Sequence, residues 1–285
     1  MTNIVLVTAT NLPKPDLESH LMLEVFERRG VRASLVPWDA AYDWQSADLA
    51  VIRTPWDYFE RVDEFLRWAD HVDSVTQLVN PPEVLRWNTH KSYLLDLAAA
   101  GVPIVPTQIF PKGTASVPED RLPAGVEVVI KPAVSIGAIG ALRTSADDPR
   151  AAAHIIELAA SGDVLVQPFI PSVLESGEIS VMFAGGQLSH AVQKIPSPGE
   201  YRVQDHHGGS VHPYRATADE ITVAMAALDV VSSSLAYARV DLVCTSRGPV
   251  VMELELVEPA LFLDADPLAP ETFADAFLSV IERSK

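Results

Sequence analysis

The densest chemistry in this chain lies between Pro249 and Pro259, P-V-V-M-E-L-E-L-V-E-P, where Val251, Met252, Leu254, Leu256 and Val257 are interleaved with the carboxylates Glu253, Glu255 and Glu258. Apolar and acidic residues repeating every second position describe a strand with one buried face. Glu253 and Glu255 then share a face with Cβ atoms roughly 7 Å apart, and their charges repel unless a cation or water intervenes. Upstream, Tyr237 to Cys244 is a second strand carrying Asp241. Antiparallel pairing through the Thr245-Ser-Arg-Gly248 turn would set Asp241 beside the glutamates. Three such carboxylates suit a hard divalent ion such as Mg²⁺, held by carboxylates and nucleotide phosphates together. The plainer alternative is a half-exposed strand with a solvated acidic face.

Basic and glycine-rich candidates lie elsewhere. Lys131 closes the strand 127–131, just before Ala133-Val-Ser-Ile-Gly-Ala-Ile-Gly140, whose glycines at 137 and 140 can present backbone N–H groups to phosphate oxygens. A plain turn is the competing reading. Lys91 falls within an expected helix over 88–100. Arg53, Trp56, Asp57 and Tyr58 follow a strand end, where ligands of parallel sheets sit; anchoring the loop would be the ordinary use of such residues. The segment 197–214 carries Arg202, His206, His207 and Gly208-Gly209 and is expected as a long polar loop. Adjacent histidines point apart on regular backbone, which disfavours a metal pair.

The elements that must position these groups follow from periodicity. Strands are expected at 4–8, 33–36, 48–53 and 76–79, with helices at 16–29 and 59–72. That β-α-β-β-α-β order gives a small parallel sheet flanked by helices, ending near residue 85. Further strands are expected at 104–110, 127–131, 141–144 and 164–170. A hairpin follows at 177–185 and 187–195, turning at Gly185-Gly186. Helices over 150–160, 217–235 and 271–281 complete the chain. Neither GxGxxG after the first strand nor a Walker GxxxxGK[ST] occurs, so a nucleotide site must use another design.

A chain of 285 residues with 48% hydrophobic and 21% charged residues is expected to be globular, with two or three subdomains. Its formal charge of −17 disfavours a nucleic-acid partner. One cysteine, Cys244, permits no internal disulfide. No run reaches the 18 apolar residues of a membrane span, and the N-terminus enters a strand directly, so a cytoplasmic location is expected.

Taken together, these motifs resemble the ATP-grasp superfamily of carboxylate–amine ligases, nearest its glutathione-synthetase-like branch, over roughly residues 86–260. The resemblance implies an α/β (α+β) fold of three parts: an N-terminal parallel α/β domain (1–85), a central lobe with the mobile glycine-rich loop (86–170) and a C-terminal lobe with metal-binding strands (171–285). ATP would bind between the two α+β lobes. By this resemblance Lys91 and Lys131 contact the nucleotide phosphates, together with the loop of Ser135, Gly137 and Gly140. Gln167, Phe169 and Ile170 match the strand that receives adenine, and Glu178 the acid that holds ribose. Lys194 and Arg202 match the basic residues facing the phosphoryl and acyl groups, and Asp241, Glu253 and Glu255 match the Mg²⁺ ligands. Two departures stand out: Glu255 replaces the usual Asn of an E-x-N element, and Ser180 replaces a basic residue two positions after the ribose acid.

The family chemistry is phosphorylation of a carboxylate to an acyl phosphate, which a nitrogen nucleophile then attacks. L-E-L-V-E-P-A-L-F-L-D and R-T-P-W-D-Y are further similar to the D-cycloserine synthetase-like group, which closes O-ureido-D-serine on its own nitrogen. That implies a small amino-acid-like carboxylate as substrate, with Arg53, Trp56, Tyr58, His207 and Gly209 around it, and a homodimer as one assembly open to the chain. The alternatives are an intermolecular amino-acid or peptide ligase of the glutathione-synthetase or RimK type, a catalytically silent ATP-binding protein, and a metal hydrolase using the acids with His206 or His207.

Overall fold

The structure is a computed structural model that describes residues 1–283. Its first sheet comprises β1 (Asn3–Thr8), β2 (Arg32–Pro37), β3 (Leu49–Thr54) and β4 (Gln77–Val79), all parallel in the order β2-β1-β3-β4. The apolar runs of β1 and β3 are buried because helices cover the sheet: α1 (Leu17–Arg28) and α2 (Val62–Val75). Asp16 caps α1 by accepting from the Ser19 N–H at 2.9 Å.

Two antiparallel sheets follow. One holds β5 (Gln108–Phe110), β6 (Glu127–Pro132), β7 (Leu142–Ser145) and β8 (Val164–Pro168) in the order β5-β8-β6-β7, with α5 (Pro149–Ala159) packed on it and the short α6 (Ser172–Ser176) following β8. The other holds β9 (Glu178–Ala184), β10 (Gln187–Ile195), β11 (Ser210–Tyr214), β12 (Tyr237–Thr245) and β13 (Gly248–Glu255) in the order β11-β10-β9-β12-β13. The expected α/β architecture, a parallel N-terminal sheet followed by α+β lobes, is therefore present.

Packing links the sheets across long sequence distances. Helices α3 (Pro82–Asn88) and α4 (Tyr93–Ala99) place Val84, Tyr93, Leu94 and Leu97 in one core with Val240, Leu242 and Leu254 of the five-stranded sheet. The terminal helix α8 (Ala269–Arg283) packs Phe273 and Phe277 with Ile4 of β1 and with Met22 and Phe26 of α1. Between these cores, the buried Asn80 donates to the carbonyls of Tyr237 (3.0 Å) and Leu256 (2.8 Å) and accepts from the Ala236 N–H at 2.9 Å. A side chain so fully bonded ties the end of the first sheet to β12 and β13.

Several elements depart from the sequence expectation. The helix expected over 88–100 is interrupted at 89–92. Asn88 turns its amide inward to bond both the Leu254 carbonyl (2.9 Å) and the Leu256 N–H (2.7 Å), and Asn, Thr, His and Ser favour helix interiors weakly. The strand expected at 104–110 is reduced to β5, because Pro103 and Pro106 cannot donate to a ladder; Ile104 and Val105 instead bridge to Val251. The 197–214 segment is only partly loop. Its last five residues form the edge strand β11, which tolerates Pro213 because only one side is paired. Helix α7 (Ala218–Asp229), started by a Thr217/Glu220 capping box, stops short of residue 235 ahead of Val230-Val-Ser-Ser-Ser234. Among the described residues no helix is long and apolar enough to cross a membrane.

Candidate active site

The antiparallel sheets face each other across a cleft of about 610 Å³, which the N-terminal domain closes at one side with Pro13, Lys14, Trp56 and Tyr58. β12 and β13 form its floor. Their register pairs Asp241 directly with Glu253 and Arg239 with Glu255, as an antiparallel hairpin through Thr245–Gly248 requires. An irregularity opposite Asp241 and Leu242 leaves Met252 as the extra residue, so Met252 borders the cleft as well as Glu253.

The floor is a lattice of alternating charge. Arg239 donates from Nε and Nη2 to Asp241 at 3.0 and 2.9 Å, to the Ala260 carbonyl at 3.1 Å, and to Glu255. Lys194, on β10, bonds Asp241 at 3.0 Å and pairs with Glu178 of β9. Ser180 donates to the same aspartate at 2.5 Å. The residue found where a cation was expected therefore supports Asp241, while Arg239 supplies the positive charge. Burial alone would raise Asp241, but the charges of Arg239 and Lys194 reverse that and hold its carboxyl well below the usual range. Glu255 is pushed up to about 7 by burial and by Asp241 and Glu253, which outweigh Arg239. Glu178 also rises to about 7, through burial and the Asp241 charge against the pull of Lys194.

Lys91 and Lys131 converge on Glu253 from opposite elements. Lys91 sits in the break between α3 and α4, 3.1 Å from the Glu253 carboxyl, and donates to the Ser135 carbonyl at 2.7 Å. Lys131 comes from the end of β6. Burial, followed by the proximity of Lys91, lowers its ammonium pKa despite Glu253. Two lysines brought this close together mark a place where an anion gains from both. The 135–140 loop lies above them with left-handed backbone at Gly137 (φ 57°), Ala138 (φ 61°) and Gly140 (φ 74°). A Cβ at Gly140 would stand 3.1 Å from the Pro132 ring, which accounts for the glycine there.

At the outer end, Gln167, Phe169 and Ile170 border the cleft beside Val129 and Met252. Arg143 stacks 3.6 Å from the Phe169 ring centroid, and Tyr201 meets Phe169 edge-on at 6.0 Å. This is a flat, apolar slot with a polar rim, the form that suits a purine ring. Arg202 borders the cleft with its guanidinium bonded to Glu200.

The cleft thus gathers Lys91, Lys131, Ser135, Gly137, Gln167, Phe169, Ile170, Glu178, Lys194, Arg202, Asp241, Glu253, Glu255, Trp56 and Tyr58. Four expected residues stand outside its lining. Arg53 is buried behind it, paired with Glu18 at 3.0 Å and donating to the Pro259 carbonyl at 3.2 Å, so it anchors the chain. Gly140 lies under the loop against Pro132. His207 is not part of the lining; its ring packs 4.2 Å from that of His206, which borders the cleft and meets the Gly137 carbonyl at 3.2 Å. Gly209 is a packing glycine: a Cβ there would fall 2.1 Å from the Val203 carbonyl oxygen. Residues that sequence reasoning missed are Arg239, Glu258, Lys14 and Tyr201. Arg239 was legible, because two positions before Asp241 on one strand means the same face.

The oxygen-rich donor set fits a hard divalent cation. Glu253 and Glu255 both face the cleft, and a carboxyl raised like that of Glu255 is one that a cation would relieve. Among the described residues no three His, Cys, Asp or Glu side chains converge on one point, so such an ion would need phosphate oxygens to complete its shell.

Comparison with known proteins agrees with this arrangement. Residues 4–80 match the N-terminal domain of D-cycloserine synthetase DcsG, and residues 117–260 match the RimK-like ATP-grasp domain. The cycloserine biosynthesis protein DcsG of Streptomyces lavendulae is 34% identical over 96% of this chain and 97% of its own. A probable alpha-L-glutamate ligase of Aliivibrio fischeri (strain MJ11) is 31% identical over 56% of this chain, which spans about half (52%) of that ligase's length. The crystal structure of D-cycloserine synthetase DcsG superposes with a TM-score of 0.87 at 31% identity, covering 99% of this chain and all of the other. D-alanine–D-alanine ligase from Bacillus anthracis complexed with ATP superposes at 0.70 with 13% identity, covering all of this chain and 98% of that one, a likeness of fold alone. A likeness that runs the whole length of both chains, over a cleft with these lysines and carboxylates, makes this protein a member of the ATP-grasp ligases in the branch that contains DcsG.

Proposed function

We propose that this ligase activates the carboxylate of O-ureido-D-serine with ATP and closes the molecule on its own nitrogen to form D-cycloserine. The observation that carries the reading is the end-to-end similarity to DcsG, N-terminal domain included, and that domain borders the cleft with Pro13, Lys14, Trp56 and Tyr58. Lys91 and Lys131 would hold the phosphates under the 135–140 loop, with the purine on Phe169 between Gln167 and Ile170 and the ribose near Glu178. The substrate carboxylate attacks the γ-phosphorus and ADP leaves. The oxygen-bound nitrogen of the ureido group then attacks the acyl carbon, loses its proton and expels phosphate. Water hydrolyses the carbamoyl group from that nitrogen; the group departs as carbon dioxide and ammonia and leaves the N–H of D-cycloserine. Charge grows on the transferring oxygens, so positioned cations contribute most of the acceleration. Lys194 and Arg202 are the side chains assigned that work. Of the three expected ligands, Glu253 and Glu255 would hold Mg²⁺ with phosphate oxygens, and the ion would supply charge neutralisation there; Asp241, engaged by Arg239, Lys194 and Ser180, would support them from beneath. Closure of the loop would exclude water from the acyl phosphate. An intramolecular nucleophile needs no second amine pocket.

The test is ADP release coupled to mass detection, with D- and L-O-ureidoserine and a panel of amino acids. ADP together with D-cycloserine from the D-isomer alone supports the proposal. Turnover only with a second amine would make the protein an intermolecular ligase. Absence of ADP release with every acid would leave a nucleotide-binding protein without ligase activity on this class.

A further inference from the structure

Five carboxyl side chains border the cleft, and four have basic partners: Glu178 and Asp241 pair with Lys194, Asp241 and Glu255 with Arg239, and Glu253 with Lys91. Glu258 is the exception. Among the described residues no basic side chain pairs with it, and its bond is to the Tyr58 hydroxyl. The backbone around it is clamped on both sides. Tyr237 donates to the Val257 carbonyl at 2.7 Å, and the buried Arg53 donates to the Pro259 carbonyl at 3.2 Å. A half-buried acid fixed so firmly, yet left without a cation, is suited to receive one from a ligand. Burial and the Glu255 charge push its carboxyl up to about 8 in the ligand-free chain, and an arriving ammonium would relieve this. Trp56 and Tyr58 border the same end of the cleft, and the Trp56 ring already carries the Lys14 ammonium 5.5 Å from its centroid, so that face accepts cations.

We infer that Glu258, steadied by the Tyr58 hydroxyl beside the Trp56 ring, is the subsite for the ammonium group of an amino-acid substrate. The inference rests on the ligase reading above for the substrate's class. Arg53 becomes a positioning residue in this account, acting through the backbone carbonyl next to Glu258. The N-terminal domain, through Tyr58, takes part in selecting the substrate.

The experiment compares binding of O-ureido-D-serine with its analogue lacking the amino group, by thermal-shift titration with AMPPNP and Mg²⁺ present. Wild type should prefer the amino compound by about 100-fold, in the range for a charged pair with one partner removed. In Glu258→Gln the two compounds should bind within about threefold of each other, with AMPPNP affinity unchanged. Tyr58→Phe should show a partial loss of preference. A Glu258→Gln variant that folds, binds AMPPNP and keeps the 100-fold preference overturns the inference. If wild type binds neither compound, the cyclisation reading fails by itself. The subsite is then judged with D- and L-alanine and serine against propanoate and 3-hydroxypropanoate, where no amine preference in any pair also overturns it.

Discussion

Replacing Arg239 by Met tests whether the charge lattice beneath the cleft holds the fold together. Arg239 is 7% exposed and bonds Asp241 twice, Glu255, and the Ala260 carbonyl. Met keeps much of its length and apolar volume, so the change removes charge and donors more than packing. Asp241 would retain Lys194 and Ser180, while Glu255 would lose its basic partner. Breaking a buried pair and stranding one charge costs about 3–5 kcal/mol. Proton uptake by Glu255 places this case near the lower end, about 3 kcal/mol. At about 2–4 °C per kcal/mol for a chain of this size, the melting temperature should fall by about 6–12 °C. The assay is paired thermal and urea unfolding followed by circular dichroism, with Arg239→Met/Glu255→Gln as the companion variant. Removing the stranded carboxylate should restore about 1–2 kcal/mol, because neighbouring substitutions couple. A single variant within 1 kcal/mol of wild type, or a double variant no more stable than the single, would refute the lattice argument.

Three further outcomes are expected. Glu253→Gln and Lys131→Met should each lower substrate-dependent ADP release by at least about 100-fold, or raise the KM for ATP equivalently, with unchanged far-ultraviolet circular dichroism; wild-type turnover in either counts against the site. Gly177→Ala should cost about 2–3 kcal/mol by urea unfolding, since its Cβ would stand 2.2 Å from the Lys194 carbonyl oxygen at φ 68°. Gly113→Ala, at φ 85° with open space around it, should cost about 1 kcal/mol and serves as control. The third outcome concerns pH. The Glu258 carboxyl has a pKa of about 8 when folded and 4.5 as its ordinary value. The folded chain therefore keeps a proton that the unfolded chain has lost, so the stabilisation is full below about 4.5 and disappears as pH rises through 8. After discounting for partial exposure, wild type should lose about 1–2 kcal/mol relative to Glu258→Gln between pH 5 and 9. Parallel pH profiles for the two proteins would contradict this.

Much of the site was legible because strand periodicity is local information. Alternation in 249–259 placed Glu253 and Glu255 on one face, and a four-residue turn placed Asp241 opposite Glu253. The same logic reaches Arg239, which shares the Asp241 face. Arg53 was not legible: an arginine at a strand end reads the same whether it faces a ligand or a buried glutamate, and only the packing of Glu18 and Pro259 around it decides. The break at 89–92 depended on Asn88 finding two backbone partners more than 160 residues away. The edge strand β11 was hidden because a strand with no buried face need not alternate, and Ser210 to Pro213 are all exposed here.

Helix α8 supplies Phe273 and Phe277 to the core built on the first strand. During synthesis the opening β-sheet would emerge from the ribosome with α1 and α2, long before the α8 part of its apolar cover exists. The face that α1 shares with α8 must remain partly bare, or be shielded by a chaperone, until α8 has been made. Removing the last fifteen or so residues should therefore damage the front of the molecule first: a protease would attack α1 and β1 while the distant nucleotide slot still kept its shape.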